Sequence, residues 1–348
     1  MADLTVRQRL EQAEERLSPH AARSAASRGR LRVERPCPLR TDFQRDRDRI
    51  IFSNAFQRLK HKTQVFIAPL GDHYVTRLTH TLEVSQIART IARALNLNED
   101  LTEAIALGHD LGHTPFGHMG EQVLNELLPE GFRHYEQSLR VVDHIEKNGR
   151  GLNLTWEVRD GILNHSKGDL EIPESGWTNV STVEGQIVKM ADLVAYINHD
   201  IEDAIRAGII SQVDLPASPL QMLGSTNSER INTLVSDIVS ISAENMRPGD
   251  RDKPMIGMTD AIRDAANELR DFLFSRVYYP SLGTEEVAKA REIILALYDY
   301  FINNPHILPA EYNQNKDSVE RRVTDYIAGM TDHYAILTAR KLCSINTF

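Results

Sequence analysis

Apolar residues recur at three- and four-residue spacing along most of the 348-residue chain, with polar residues filling the opposite positions. That period belongs to one face of an α-helix. It predicts helices over 43–60, 76–95, 100–112, 118–128, 134–147, 155–164 and 183–207. A second group is expected at 228–246, 258–275, 285–303, 317–329 and 332–342. The breaks have local causes. Asn98 is placed to cap the helix that starts near residue 100. Thr114-Pro115-Phe116-Gly117 cannot continue a helix, because proline lacks a donor and crowds the preceding turn. Pro129-Glu130-Gly131 ends the next one. Residues 18–37 mix Arg, Ser, Ala and Pro without a period and read as a loop or mobile arm. Residues 166–182 read as a loop with room for a short hairpin, and 248–257 as a second loop. There is no heptad array and no fixed-period repeat. The expected class is therefore all-α, with a soft boundary near 213–227, where Pro216, Pro219 and Gly224 cluster.

Composition adds limits. The chain is 41% hydrophobic and 26% charged, which is ordinary for a globular protein. No run of eighteen apolar residues occurs, so no membrane span is expected. No secretory signal is visible at the N-terminus. Cys37 and Cys343 have no neighbouring cysteine, which points to a reduced, cytoplasmic setting. The net charge is −9, but residues 1–62 carry 15 Lys and Arg against 8 Asp and Glu. This basic segment is either a solvated arm or a local phosphate-binding surface. Single-stranded nucleic acid is one partner it would suit.

The chemistry concentrates in residues 79–121, which hold four of the chain's 13 histidines. His109 and Asp110 are adjacent at the end of an apolar helix. Neighbouring helix residues point about 100° apart, so both reach one ion only near a helix end. Gly112 and Pro115 provide that end. His80 lies on the preceding helix and Asp192 on a third. Neutral imidazoles with carboxylates suit a divalent ion, with Mn, Mg, Fe, Ni, Co and Zn not distinguished. Four protein ligands leave positions for water and a phosphate oxygen, as metal-assisted hydrolysis requires.

The order His80, His109-Asp110, Asp192 resembles the HD-domain phosphohydrolase superfamily. RLTHTLEV (77–84), GHDLGHTPFGHMGE (108–121) and ADLVAYINHDIEDA (191–204) narrow the resemblance to the deoxyguanosinetriphosphate triphosphohydrolase family, over roughly residues 35–345. The resemblance implies an HD-domain helical core with an additional C-terminal helical subdomain. On that basis 1–37 is expected to be a basic, partly mobile arm, 38–213 the catalytic core, and 214–348 a helical region packing on it.

His118 and Glu121 share a helix face at spacing i, i+3. The resemblance implies that His118 acts on the phosphate beside the metal and that Glu121 orients it. His113, one turn past His109, either contacts phosphate or supports a ligand. Asp192, Tyr196 and Asp200 form one stripe. In related enzymes the tyrosine packs on the deoxyribose and the aspartate binds the 3′-hydroxyl, which would explain selection against ribonucleotides. The bland reading of the stripe is one side of an amphipathic helix, and His199 and Asp203 fit that better. A triphosphate needs converging cations. Arg77, one turn before His80, is the first choice. Arg40, Arg45, Arg58, Lys60 and Lys62 lie nearby in sequence, where alternating Arg and Asp also reads as a salt-bridged surface. Arg45 and Arg58 resemble family positions near the site or an oligomer interface, and Gln64 one that approaches the sugar. His165 either faces the site or is simply a helix-end histidine.

The resulting expectation is a homo-oligomeric dNTP triphosphohydrolase, with a second dNTP as an activator in some relatives. Its products would be deoxynucleoside and tripolyphosphate. The rivals are an HD phosphohydrolase for a nucleoside monophosphate, a cyclic nucleotide or guanosine tetraphosphate, and a non-catalytic dNTP sensor.

Overall fold

The computed structural model describes residues 4–66, 74–166, 180–247, 256–313, 317–343 and 345. The fold is all-α. Among the described residues the β-type contacts are two isolated bridges, Arg30 with Thr155 and Thr63 with Thr76. The helices run in order α1 (Val6–Glu14), α2 (Asp42–Ile51), α3 (Asn54–Arg58), α4 (Arg77–Ala94) and α5 (Glu99–Gly108). Then come α6 (Gly117–Leu127), α7 (His134–Arg140), α8 (Trp156–Asn164), α9 (Val183–Arg206) and α10 (Ala217–Leu223). The series closes with α11 (Asn227–Asn245), α12 (Asp260–Leu273), α13 (Glu285–Asn303), α14 (Val319–Ala328) and α15 (Asp332–Cys343).

Most expected helices are present within a residue or two. The differences trace to polar side chains that periodicity does not register. The run 43–60 is split after Ile51, because Ser53 adopts an extended conformation and its Oγ accepts the Phe56 N–H, starting α3 anew. The run 134–147 ends as a helix at Arg140, followed by a wide turn and left-handed residues at Lys147 and Asn148. Asn98 caps α5 as expected, accepting from Leu101 N at 3.1 Å. The segment 18–37 is not irregular throughout. Ser24 donates from both N and Oγ to the buried Glu14, and Ala22 N donates to Glu184. Helices α1 and α10 were not among the expected elements. The hairpin expected within 166–182 and most of the loop 248–257 lie outside the described residues.

The chain divides into two compact units that interleave in sequence. One takes residues 1–50, 81–109 and 154–277; the other takes 51–80, 110–153 and 278–348. The expected division into 38–213 and 214–348 follows sequence order, whereas each unit draws on three separate stretches. In the first unit α9 is nearly all buried and packs on α5, α8, α11 and α12. Helices α5 and α8 meet through glycines. A Cβ on Gly161 would sit 2.6 Å from Ile105, and one on Gly108 would sit 2.6 Å from Ile162. In the second unit α6, α13, α14 and α15 enclose an apolar core that includes Phe116, Leu124, Ile293, Leu297, Phe301 and Ile327.

Candidate functional site

The division between the units falls at two of the expected ligands. His80 and Asp110 belong to the second unit, and His109 and Asp192 to the first. The peptide bond between His109 and Asp110 joins the two sets covalently.

In the first unit, α5 ends at Gly108 and places His109 as its C-terminal cap, fully buried. The His109 Nδ1 lies 2.6 Å from the Ala106 carbonyl. A carbonyl only accepts, so Nδ1 carries the proton and Nε2 presents the lone pair, as a metal-ligating histidine must. Nε2 is 4.0 Å from Asp192 Oδ1 on α9. His165 caps α8 in the same manner, with Nδ1 2.7 Å from the Ile162 carbonyl, and its ring stands edge-on to His109 at 4.9 Å. Tyr196 follows Asp192 by one turn. Burial pushes its phenol pKa up, and the nearby Asp192 carboxylate adds to the effect. Asp200 is buried and stands 2.7 Å from His199 Nδ1. Burial alone would favour neutral His199, but Asp200 and Glu83 outweigh it and raise its pKa. Arg45 is engaged on α2, at 2.9 Å from Glu34 and 3.4 Å from Asp42. That is the salt-bridged surface among the sequence alternatives.

In the second unit, Asp110 is held from several directions. Its Oδ2 accepts from Arg77 Nη1 at 2.9 Å and lies 3.9 Å from His80 Nε2. Its Oδ1 lies 3.3 Å from His113 Nε2. Arg77 does face the His80 side of its helix, and its second amino group reaches the Gln64 carbonyl at 3.4 Å. Among the described residues two buried acceptors here have no hydrogen-bond partner, His113 Nδ1 and Gln64 Oε1. Burial, helped by the charges of Arg77 and His134, holds His113 well below the ordinary histidine pKa and therefore neutral.

The Pro115 turn leads into α6 through Phe116, a non-glycine residue in the left-handed region at φ 62°. Asp332 stabilises this turn by accepting from Phe116 N at 3.0 Å, and it also accepts from Thr63 N at 3.0 Å. One turn into α6, Glu121 accepts from His118 Nδ1 at 3.2 Å and from His134 through N at 2.9 Å and Nδ1 at 3.0 Å. Burial opposes the Glu121 charge, but His134 and the two imidazole hydrogen bonds outweigh it. They hold the carboxyl well below the usual carboxylate range. The His118 side chain is 76% exposed, unlike its partners. His134 also stacks on His113 at 4.0 Å. Sequence spacing did not single out His134. The signal was faint: a histidine at the first position of a helix, thirteen residues from the carboxylate it braces. Lys62 is fully buried and donates to the carbonyls of His113 and Ala328, the latter at 2.8 Å. It is tied into the loop rather than displayed for a ligand.

The donor chemistry fits a divalent ion. Each half supplies imidazole nitrogen and carboxylate oxygen, the set shared by Mn, Fe, Co, Ni and Zn sites, and the His109 tautomer is the ligating one. Among the described residues no helix is long and apolar enough to cross a membrane.

Comparison with known proteins agrees. The HD domain family matches residues 77–197, and the Phosphohydrolase-associated domain matches residues 256–341. A deoxyguanosinetriphosphate triphosphohydrolase-like protein of Caldanaerobacter subterraneus subsp. tengcongensis is 56% identical over 94% of this chain and 92% of that protein. A protein of the same description from Desulfatibacillum aliphaticivorans is 50% identical over 97% of this chain and 98% of its own length. One from Clostridium perfringens is 52% identical over 95% of each.

Proposed function

The chain belongs to the deoxyguanosinetriphosphate triphosphohydrolase-like family of HD-domain proteins, and from that premise we propose that it hydrolyses deoxynucleoside triphosphates to deoxynucleoside and tripolyphosphate. The coarser level is firm: the HD domain makes it a metal-dependent phosphohydrolase. The observation that supports the finer reading is the exposed His118, backed by an ionised Glu121 and standing beside the His113–Asp110 pair.

In this reading His80, His109, Asp110 and Asp192 hold one divalent ion. When bound, the ion supplies Lewis-acid polarisation of phosphoryl oxygen and of water. The chain's own residues do the rest. Water adds to the α-phosphorus, the bond from that phosphorus to the 5′-oxygen breaks, and the departing oxygen needs a proton. His118 is the proton carrier, because Glu121 fixes its Nδ1 and leaves Nε2 directed away from that bond. His134 fixes Glu121 in turn. Gln64 Oε1, without a partner among the described residues, suits a hydroxyl donor such as the 3′-hydroxyl, and Tyr196 and Asp200 extend the Asp192 stripe toward the sugar. The intact His118–Glu121 pair disfavours a pure sensor, which has no use for a proton carrier.

Product analysis tests this. Incubation with each dNTP and with GTP, in Mn²⁺ or Mg²⁺, should release tripolyphosphate and deoxynucleoside and spare GTP. Release of pyrophosphate and a nucleoside monophosphate would overturn the reaction, and equal turnover of GTP the sugar selection.

A further inference from the structure

We infer that His165 is a further protein ligand of the ion, beside His109 and Asp192. The inference rests on the metal site of the reading above, not on which nucleotide is the substrate.

The first unit builds the same device twice. Helices α5 and α8 each end in a capping histidine, His109 and His165. Each turns Nδ1 onto the carbonyl three residues back, at 2.6 Å for His109 and 2.7 Å for His165. With that proton committed to a carbonyl, the neutral ring has only the Nε2 lone pair left to offer. A histidine that merely capped a helix end would need no partner at Nε2. These two are instead brought to each other and to a carboxylate. The ligand atoms of His109, His165 and Asp192 lie within 4.8 Å of one another. Both imidazoles are buried, while Asp192 is partly open.

The helices are held in that relation by reciprocal glycine contacts. Gly161 admits Ile105 and Gly108 admits Ile162, each where a Cβ would come within 2.6 Å. The close approach therefore lies one residue before His109 and four before His165. The converging atoms are two imidazole nitrogens and a carboxylate oxygen, a donor set suited to a divalent cation. Donors about 2.1 Å from one ion are at most ~4.2 Å apart, and the His109–Asp192 separation of 4.0 Å already meets that limit.

The test is metal affinity on the full-length chain, read without turnover. The metal-free protein is titrated with Mn²⁺, following the free-ion paramagnetic resonance signal. The Co²⁺-loaded protein is examined by visible absorption. His165→Ala and His165→Gln should each weaken Mn²⁺ binding by at least roughly tenfold. Both should change the Co²⁺ bands, and the far-ultraviolet circular dichroism of the metal-free protein should be unaltered. His109→Ala should abolish tight binding. If His109→Ala loses the ion while both His165 variants bind within twofold of the parent and keep its Co²⁺ spectrum, His165 is not a ligand and the four-ligand site stands. If His109→Ala also binds normally, the metal site itself is misassigned and the inference falls with it. Should His165→Ala misfold, His165→Gln decides the matter, since it keeps the polarity of the position.

Discussion

Removing the Asp332 carboxylate should disturb both stability and turnover, although Asp332 touches neither an expected ligand nor His118. In Asp332→Ala, Phe116 N and Thr63 N lose the acceptor they share at 3.0 Å. Phe116 is 2% exposed, so water cannot readily replace that partner. A hydrogen bond to a charged acceptor contributes about 1.5–3 kcal/mol, and orphaning a buried N–H costs a similar amount. Asp332 and Thr63 are partly open, which puts the Thr63 bond at the low end or below. Phe116 also sits at φ 62°, a conformation costing about 1–2 kcal/mol for an L-residue, and it is held there partly by this bond. The two lost bonds give about 3 kcal/mol, which relaxation at Phe116 would partly offset, or a fall in thermal midpoint of at most roughly 4 °C. Because Phe116 starts the helix that presents His118, kcat should fall more than KM rises. Asp332→Asn keeps one acceptor oxygen and should lose about half as much stability. The measurements are thermal unfolding followed by circular dichroism and steady-state tripolyphosphate release. A stability of Asp332→Ala within ~0.5 kcal/mol of the parent, with unchanged kcat, would refute the reasoning.

Two further substitutions probe carboxyls whose surroundings shift them in opposite directions, imidazoles lowering Glu121 and burial raising Glu184. Glu121→Gln should lower kcat by roughly 10²–10⁴-fold, the range typical of lost acid–base support, with little change in circular dichroism. Because the Glu121 pKa is depressed, its stabilisation is complete above its ordinary value of 4.5 and is lost as pH falls toward the folded value. The stability gap between parent and variant should therefore shrink as pH falls below 4.5; a gap that does not change in acid would contradict this. Glu184 shows the reverse: burial pushes its carboxyl up to about 7, against hydrogen bonds from Asn98 N and Ala22 N that favour the charge. Its contribution is full below 4.5 and is lost as pH rises through about 7. Glu184→Gln, neutral throughout, should match the parent near pH 4.5 and become increasingly the more stable of the two toward pH 8 in urea titrations. Parallel stability curves would remove the basis for that shift.

How much was legible in the chain depends on what kind of signal each feature leaves. Helix positions follow the apolar period, which packing enforces over many residues, so α4, α9 and α13 were readable almost to the residue. The split after Ile51 was not, because one hydroxyl decides it. Ser53 competes for the Phe56 N–H and wins locally against a pattern that would continue the helix. Interleaving of the two units was not readable either. Periodicity reports which face of each helix is apolar, not which partner covers it, and His109 and Asp110 are neighbours in sequence with different surroundings.

The candidate site divides along the same line. His80, His109, Asp110, Asp192, His118 and Glu121 stand out because helical spacing and dense motifs group them. The groups that orient them do not share that spacing. His134 reaches Glu121 from another helix, and Asp332 reaches Phe116 from more than two hundred residues away. Arg77 shows the converse. Its position was anticipated, but its engagement with Asp110 was not, since a turn before His80 places it equally well to meet a phosphate or a carboxylate. A buried guanidinium beside a carboxylate that is also proposed to hold an ion has two competing claims to reconcile. Each cation weakens the other's attraction to Asp110, and a bound anion relieves the excess positive charge. Phosphate is therefore expected to favour the joint presence of metal and Arg77 at this carboxylate, whereas without an anion the two cations oppose each other.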